Sequence, residues 1–351
     1  EFSGDNEKVV ITYKSDATGG EKLNVARNNE ALNYGETVAS VTESNGFDDS
    51  DSDMLEDGRF DNDISDTDYT QKLQLLNGTF NYALKDEVDG VDEITDGIFY
   101  SNGQAFAKYN LEMDSSVSLA GSDFDEDLVG SDITIMGNEF TIADITKTGS
   151  DVETLVLVGG ANKVSIGEGE STTVTVDGKS YEIAIQAVSD STPDKVLLTV
   201  NGQSKSIEAF DTDDVAGVTI AVTDLVPSSR DSIKGYAELV VGGQKISLEE
   251  GNIEINEEEV DDIYPDYNVD VSFTGTGLEN IAITYSVDDD TLLESGDYLE
   301  DVLFDAFKVM YEGTNEPEYT EIEVRVNDDD VQVSGTTENG EDFKRDLLHM
   351  E

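Results

Sequence analysis

Apolar and polar residues alternate with a period of two along most of this chain, and the alternation stops at short turn-forming pairs. The clearest case is 128–148, LVGSDITIMGNEFTIADITKT. Ile133 and Ile135 alternate with Asp132, Thr134 and Met136. Gly137-Asn138 turns the chain, and Phe140, Ile142 and Ile145 carry the return. A period of two sends one set of side chains into a core and the other toward water. A Gly-Asn pair supplies the positive φ that a tight hairpin needs. Thr154–Val158 is a nearly continuous apolar strand closed by Gly159-Gly160. Three hairpins of similar pattern follow, around Asp177-Gly178, Asn201-Gly202 and Gly242-Gly243.

Upstream, Lys8–Lys14 (KVVITYK) reads as a strand that either pairs within its own fold or reaches a neighbour. Leu23–Ala26 and Thr37–Val41 read as further strands, with Leu32–Glu36 as a turn. Strand character resumes over 69–84 and 98–119, with turns at Asn77-Gly78 and Asn102-Gly103. Asn256–Asp266 reads as an acidic linker or a second ion site. The strands 269–273, 281–285, 321–326 and 331–336 complete the β pattern. One helix is expected, over Tyr298–Met310, with a strand by Lys308–Tyr311 as the alternative at its end. Leu299, Val302, Leu303, Ala306, Phe307 and Met310 recur there at helical spacing, with Asp297 as N-cap and Glu300 three residues on.

Short strands at this spacing predict a mainly β chain: tandem β-sandwich domains, Ig-like in type, with one short helix. The expected division is an N-terminal β-rich region with an acidic loop (1–127), a central β-sandwich (128–251) and a C-terminal β-rich region (252–351) that packs with the first. None of the Gly-rich pairs precedes a helical pattern, so none is a phosphate-binding loop.

Charge changes the picture more than length does. The 351 residues include 80 acidic and 20 basic ones, a formal charge of −60. Nucleic acid is excluded as a partner, because its binding relies on Lys and Arg neutralising phosphates; anionic membranes are disfavoured likewise. The charge suits either a surface adapted to high salt or one that collects divalent cations. There is no Cys, and the one His is His349. That removes disulfides, thiolate zinc sites and a cysteine nucleophile, and argues against a Ser-His-Asp triad. No apolar run reaches the roughly 18 residues of a membrane-spanning helix. Glu1-Phe2 opens in polar sequence, so the chain reads as cytoplasmic or already processed. Asn77-Gly78-Thr79 is a glycosylation sequon, with Asn77 as the acceptor.

From Asp48 to Asp68 the chain becomes a run of carboxylates. It reads either as a solvated loop or as a calcium site with Asp49, Asp51, Asp53, Asp57, Asp61, Asp63 and Asp66 as candidate ligands. Calcium takes six to eight hard oxygen ligands, which closely spaced Asp residues and backbone carbonyls supply. It is not an EF-hand: Met54 stands where Gly should make the turn, and Phe60 where the bidentate Glu should be. Paired carboxylates can also hydrolyse sugars. With 80 acids some pair meets that spacing by chance, and there is no Trp to form a sugar platform. An enzyme is therefore not expected.

The order of the pieces resembles archaeal S-layer proteins of the methanogen type and related surface proteins of small-genome archaea. The resemblance rests on Leu32–Glu36, on Asp68-Tyr69-Thr70-Gln71 before a strand, and most on Gly130–Ile142. It continues through Asp177-Gly178-Lys179, Val200-Asn201-Gly202 and Tyr298–Phe304 leading into Phe307-Lys308-Val309. It implies a secreted β-rich protein of S-layer type that tiles with copies of itself into a sheath, often with calcium and glycans. The expected function is an extracellular structural protein self-assembling at the cell surface, held by divalent cations. The alternatives are a filament or pilus subunit using strand addition, or a monomeric adhesin or glycan-binding module.

Overall fold

Alternation of this kind folds by burying one face of each strand, and the described residues do so in seven sheets of antiparallel strands. The structure is a computed structural model that describes residues 9–13, 21–25, 32–62, 66–85, 93–120, 128–176, 178–189, 193–227, 234–313, 322–326, 330–336 and 342–349. The strand Asp66–Leu75 shows the rule. Thr67, Tyr69, Gln71, Leu73 and Leu75 are buried, and Asp66, Asp68 and Lys72 are exposed.

The larger core lies between a five-stranded and a six-stranded sheet. The first runs Tyr267–Thr274, Leu278–Val287, Ala105–Val117, Asp66–Leu75, Gly58–Asp61. The second runs Glu258–Glu259, Asn252–Ile255, Gln244–Glu249, Asp151–Gly159, Asn138–Thr148, Asp132–Ile135. Tyr109, Leu111, Ile133, Ile135, Leu155, Leu248, Ile283 and Tyr285 belong to one buried cluster. Two smaller sheets join it, one containing Thr79–Lys85 and the other Phe307–Tyr311; the rings of Phe80 and Tyr311 lie 6.1 Å apart. The second core is a sandwich of two four-stranded sheets between Asn162 and Gly242, filled by Ile166, Val174, Ile183, Leu198, Ile220 and Leu239. A small cluster of Ala143, Val156, Val158, Ala221 and Val240 joins the two cores.

The change of core therefore falls at Gly159–Asn162 and again at Gly242–Gln244. The residues just inside the expected limits of the 128–251 domain, such as Leu128, Ile133 and Leu248, pack in the larger core with residues from both flanking regions. The reason lies in the six-stranded sheet, where Asp151–Gly159 pairs with both Asn138–Thr148 and Gln244–Glu249.

Several expectations need correction. The Tyr298–Met310 helix is instead two antiparallel strands, Tyr298–Glu300 and Phe307–Tyr311, the second at the alternative strand position Lys308–Tyr311. The N–H groups of Leu303, Phe304 and Ala306, which a helix would use internally, donate to the buried carboxylate of Asp301 at 3.0, 3.2 and 3.1 Å. Asp305 adopts φ 49°, outside helical space. The helical pieces that do form are Val38–Val41, Val260–Ile263 and a 3₁₀ turn at Asp53–Leu55. Thr37–Val41 is thus a helical turn preceded by a single bridge from Thr37 to Thr79, and the Asn256–Asp266 stretch holds a short strand and a helical turn. Gly242-Gly243 closes no hairpin. Tyr236–Gly242 pairs in the smaller core and Gln244–Glu249 in the larger, so the Gly pair carries the crossing. A Cβ on Gly242 would stand 2.1 Å from Cγ1 of Val158 and 2.9 Å from the carbonyl oxygen of Gly159, so only glycine allows the two crossings to lie side by side. The opening hairpin turns at Met136-Gly137 (φ 47° and 76°), not Gly137-Asn138, because Ile135 pairs with Asn138. Asn201-Gly202 is a two-residue turn as expected, with φ 50° and 83°. Asp177 lies outside the described residues.

Candidate functional site

Two regions carry the polar chemistry. The first is the acidic segment. Leu55 and Phe60 are fully buried and pin it to the core, and Glu56 and Asp57 between them are exposed. Asp48 accepts hydrogen bonds from the N–H (3.1 Å) and hydroxyl (2.6 Å) of Ser50, which hold its carboxyl below the usual range. Asp51 accepts from the N–H of Asp48 at 3.1 Å. Asp53 opens the 3₁₀ turn that the Ser52 hydroxyl caps. Partial burial, then the charge of Asp49, pushes the Asp57 carboxyl up.

Asp61 and Asp66 face each other across a ladder, at the end remote from this turn. A hydrogen bond with Asp61 and the guanidinium of Arg59 hold the Asp66 carboxyl low. Arg59 reaches Asp66 at 2.6 Å and Asp68 at 3.6 Å, so it supplies the positive charge that a cation would bring. Of the seven expected ligands, Asp63 lies outside the described residues. The others divide. Asp49 and Asp57 are electrostatic neighbours, Asp51 is engaged with its own turn, Asp53 is exposed on the 3₁₀ turn, and Asp61 and Asp66 sit with Arg59. Among the described residues no group of three or more acidic or His side chains is placed to hold a metal ion. As arranged within one copy, the six described members of this set do not converge as a calcium cage of six to eight oxygens requires.

The second region is a cleft of about 790 Å³ between the two cores, lined in part by Asp61, Asp132, Lys163, Asp224 and Glu238. The Lys163 ammonium crosses it, donating to the Gly130 carbonyl at 2.8 Å and to Asp132 at 2.7 Å. Thr141 donates to the other Asp132 oxygen at 2.7 Å. Lys163 and Asp132 are both nearly half exposed, so their pair orients the two bodies more than it stabilises them.

Asn77 is exposed with φ 45°, and its side-chain NH₂, the group a glycan would modify, donates to the Ala105 carbonyl at 2.8 Å. No helix among the described residues is long and apolar enough to cross a membrane.

Sequence reading missed two organising residues. Gln71 is fully buried and joins three segments. Its NH₂ donates to the Glu56 carbonyl (2.6 Å), and its oxygen accepts from the Tyr109 hydroxyl (2.6 Å) and the Met136 N–H (2.9 Å). Asp301 is the other, fully inside the core. Both left a signal: Gln71 is a polar residue in an inward register between Tyr69 and Leu73, and Asp301 is an acid within an apolar run.

Comparison of the chain with protein-family models, with characterised proteins and with solved structures finds no match.

Proposed function

We propose that this is an extracellular structural protein that assembles with copies of itself into a surface layer or sheath. The observation that supports it most is how the chain is spent: on antiparallel sheets around two cores, with carboxylates spread over the polar faces and edges. Polar sheet faces and strand edges are surfaces a neighbouring copy can use. The ordered sequence resemblance points the same way.

Divalent cations act between copies in this reading. Facing carboxylates of two copies repel, and like charges across an interface cost several kcal/mol. Calcium bridging Asp49, Asp57 and their neighbours on one copy to acids on the next removes that cost. The test is electron microscopy of the concentrated protein with calcium and after exhaustive chelation. Ordered arrays with calcium that disperse on chelation are expected. Arrays unchanged by chelation remove the cation from the reading. A stable monomer under all conditions overturns it in favour of a monomeric binding module.

A further inference from the structure

The N-terminal hairpin occupies an unusual place. Val9–Tyr13 and Glu21–Asn24 pair with each other, and Val9–Tyr13 then pairs with Phe307–Tyr311, almost the whole chain away. The register runs from Val9 opposite Tyr311 to Tyr13 opposite Phe307. In its sheet the hairpin fills one side of Phe307–Tyr311, and Tyr298–Glu300 fills the other. Glu21–Asn24 ends the sheet. Lifting the hairpin away thus breaks one described ladder and leaves the order of every other sheet intact.

The strand beneath it cannot be left bare. Phe307, Val309 and Tyr311 are core residues, 2%, 0% and 0% exposed. Removing the hairpin would open a row of unpaired backbone groups beside that core, a template for another strand. The ladder has the same hydrogen bonds whether its second strand comes from the same chain or from another copy, which is the condition for exchange of an element between protomers.

Charge does not oppose contact of this segment with another copy. In a chain with 80 acids and 20 bases, residues 8–14 contain two Lys and no acid, and the hairpin 9–24 as a whole balances Lys14 and Lys22 against Asp16 and Glu21. The acceptor sequence FKVMY also contains no acid. Its Lys308 is held by Glu300 at 2.5 Å and stands 4.0 Å from the centre of the Tyr298 ring, both residues of the strand on the edge of Phe307–Tyr311 opposite the arm. An arm without net charge approaching a body of strongly negative charge escapes the repulsion that most of the surface would meet.

We propose that the hairpin is an exchanged arm: Val9–Tyr13 of one copy completes the sheet of the next by pairing with its Phe307–Tyr311. The inference rests on the self-assembly reading and specifies its contact. Donor and acceptor are different surfaces, so the contact is heterologous. Where the rotation between copies does not close, it builds a row, which is a filament alone and one axis of a sheet when rows lie side by side.

The chain has no Cys, so introduced thiols report cleanly. Val10 stands opposite Met310. The full chain carrying Val10→Cys is mixed with the full chain carrying Met310→Cys, allowed to assemble and oxidised. The expected result is a covalent dimer of the two variants on a non-reducing gel, and a ladder of covalent oligomers from the double variant. Thr12→Cys with Lys308→Cys, opposite in the same register, reads the same contact if the first pair disturbs packing. Arrays visible in the microscope with crosslinks confined within single chains overturn the exchange and leave the self-assembly reading standing. Absence of both arrays and intermolecular crosslinks overturns both.

Discussion

Three buried tyrosines show how one atom decides what a residue contributes. The Tyr69 hydroxyl accepts from the Thr134 N–H at 3.0 Å and lies 3.2 Å from its carbonyl oxygen, tying the opening hairpin's edge to the five-stranded sheet. The Tyr109 hydroxyl donates to Gln71 at 2.6 Å. The Tyr100 hydroxyl is fully buried without a partner among the described residues, and burial pushes its pKa well above the usual phenol value. A buried polar group left unmade forfeits its hydration, whereas a satisfied one repays it. Tyr109→Phe should therefore lower the unfolding free energy by about 1–3 kcal/mol, because it strands the Gln71 oxygen's partner position, and Tyr100→Phe should be neutral or stabilising. Urea unfolding of the two variants against the parent checks both signs. At this scale Gln71 was visible in the sequence as a polar residue in an apolar register. Its three partners were not, because they come from positions 56, 109 and 136, which only folding brings together.

The 298–311 segment is where pattern and element part company. Leu299, Val302, Leu303, Ala306 and Phe307 fit a helical stripe, yet all are buried in a strand–loop–strand. A segment buried on most sides reads as apolar at every period, so periodicity cannot separate helix from strand there. Asp301 decides it by collecting three loop N–H groups, and the loop then docks on the opening hairpin. The Asn138 side chain donates to the Phe304 carbonyl at 3.2 Å, and the rings of Phe140 and Phe304 meet edge to face at 5.4 Å. Asp301→Ala leaves those N–H groups buried without an acceptor and should cost about 2–4 kcal/mol. Its pH dependence has a definite sign. Burial raises the folded carboxyl above its ordinary value of 3.8, so the folded state holds the proton more tightly than the unfolded state. The resulting stabilisation is full below the ordinary value and is lost as pH rises through the folded one. The stability gap between parent and Asp301→Ala should therefore widen as pH falls from 7 toward about 4.5. A gap that narrows would contradict the assignment.

For the whole molecule the governing quantity is the charge of −60. Self-repulsion among surface carboxylates favours expansion, and salt weakens it as the screening length falls from about 10 Å at 0.1 M to about 3 Å at 1 M. The thermal midpoint should rise steadily with sodium chloride over that range. Calcium at matched ionic strength should raise it further only under conditions where arrays form, since the described acids of a single copy do not converge on an ion. A calcium-specific rise in dilute, unassembled protein would show instead that one copy holds its own site. Differential scanning calorimetry at two protein concentrations separates the cases.

The sequence by itself determined the β class, most strands and which residues face inward, because a period of two is a local property of neighbouring side chains. It also determined the charge of the surface, since carboxylates are rarely buried without partners such as the three N–H donors of Asp301. The tertiary structure decided which strands share a sheet. Asn77-Gly78, Gly159-Gly160 and Gly242-Gly243 each look like hairpin turns, and each carries the chain from one sheet to another. A turn pair specifies a local reversal or a positive φ and says nothing of the partner beyond it. The same limit separates the described acids of the 48–68 stretch: closeness along the chain is divided in space by the residues that the core takes in, Met54, Leu55 and Phe60. Pairing partners are chosen by long-range packing, and that is information only the folded chain contains.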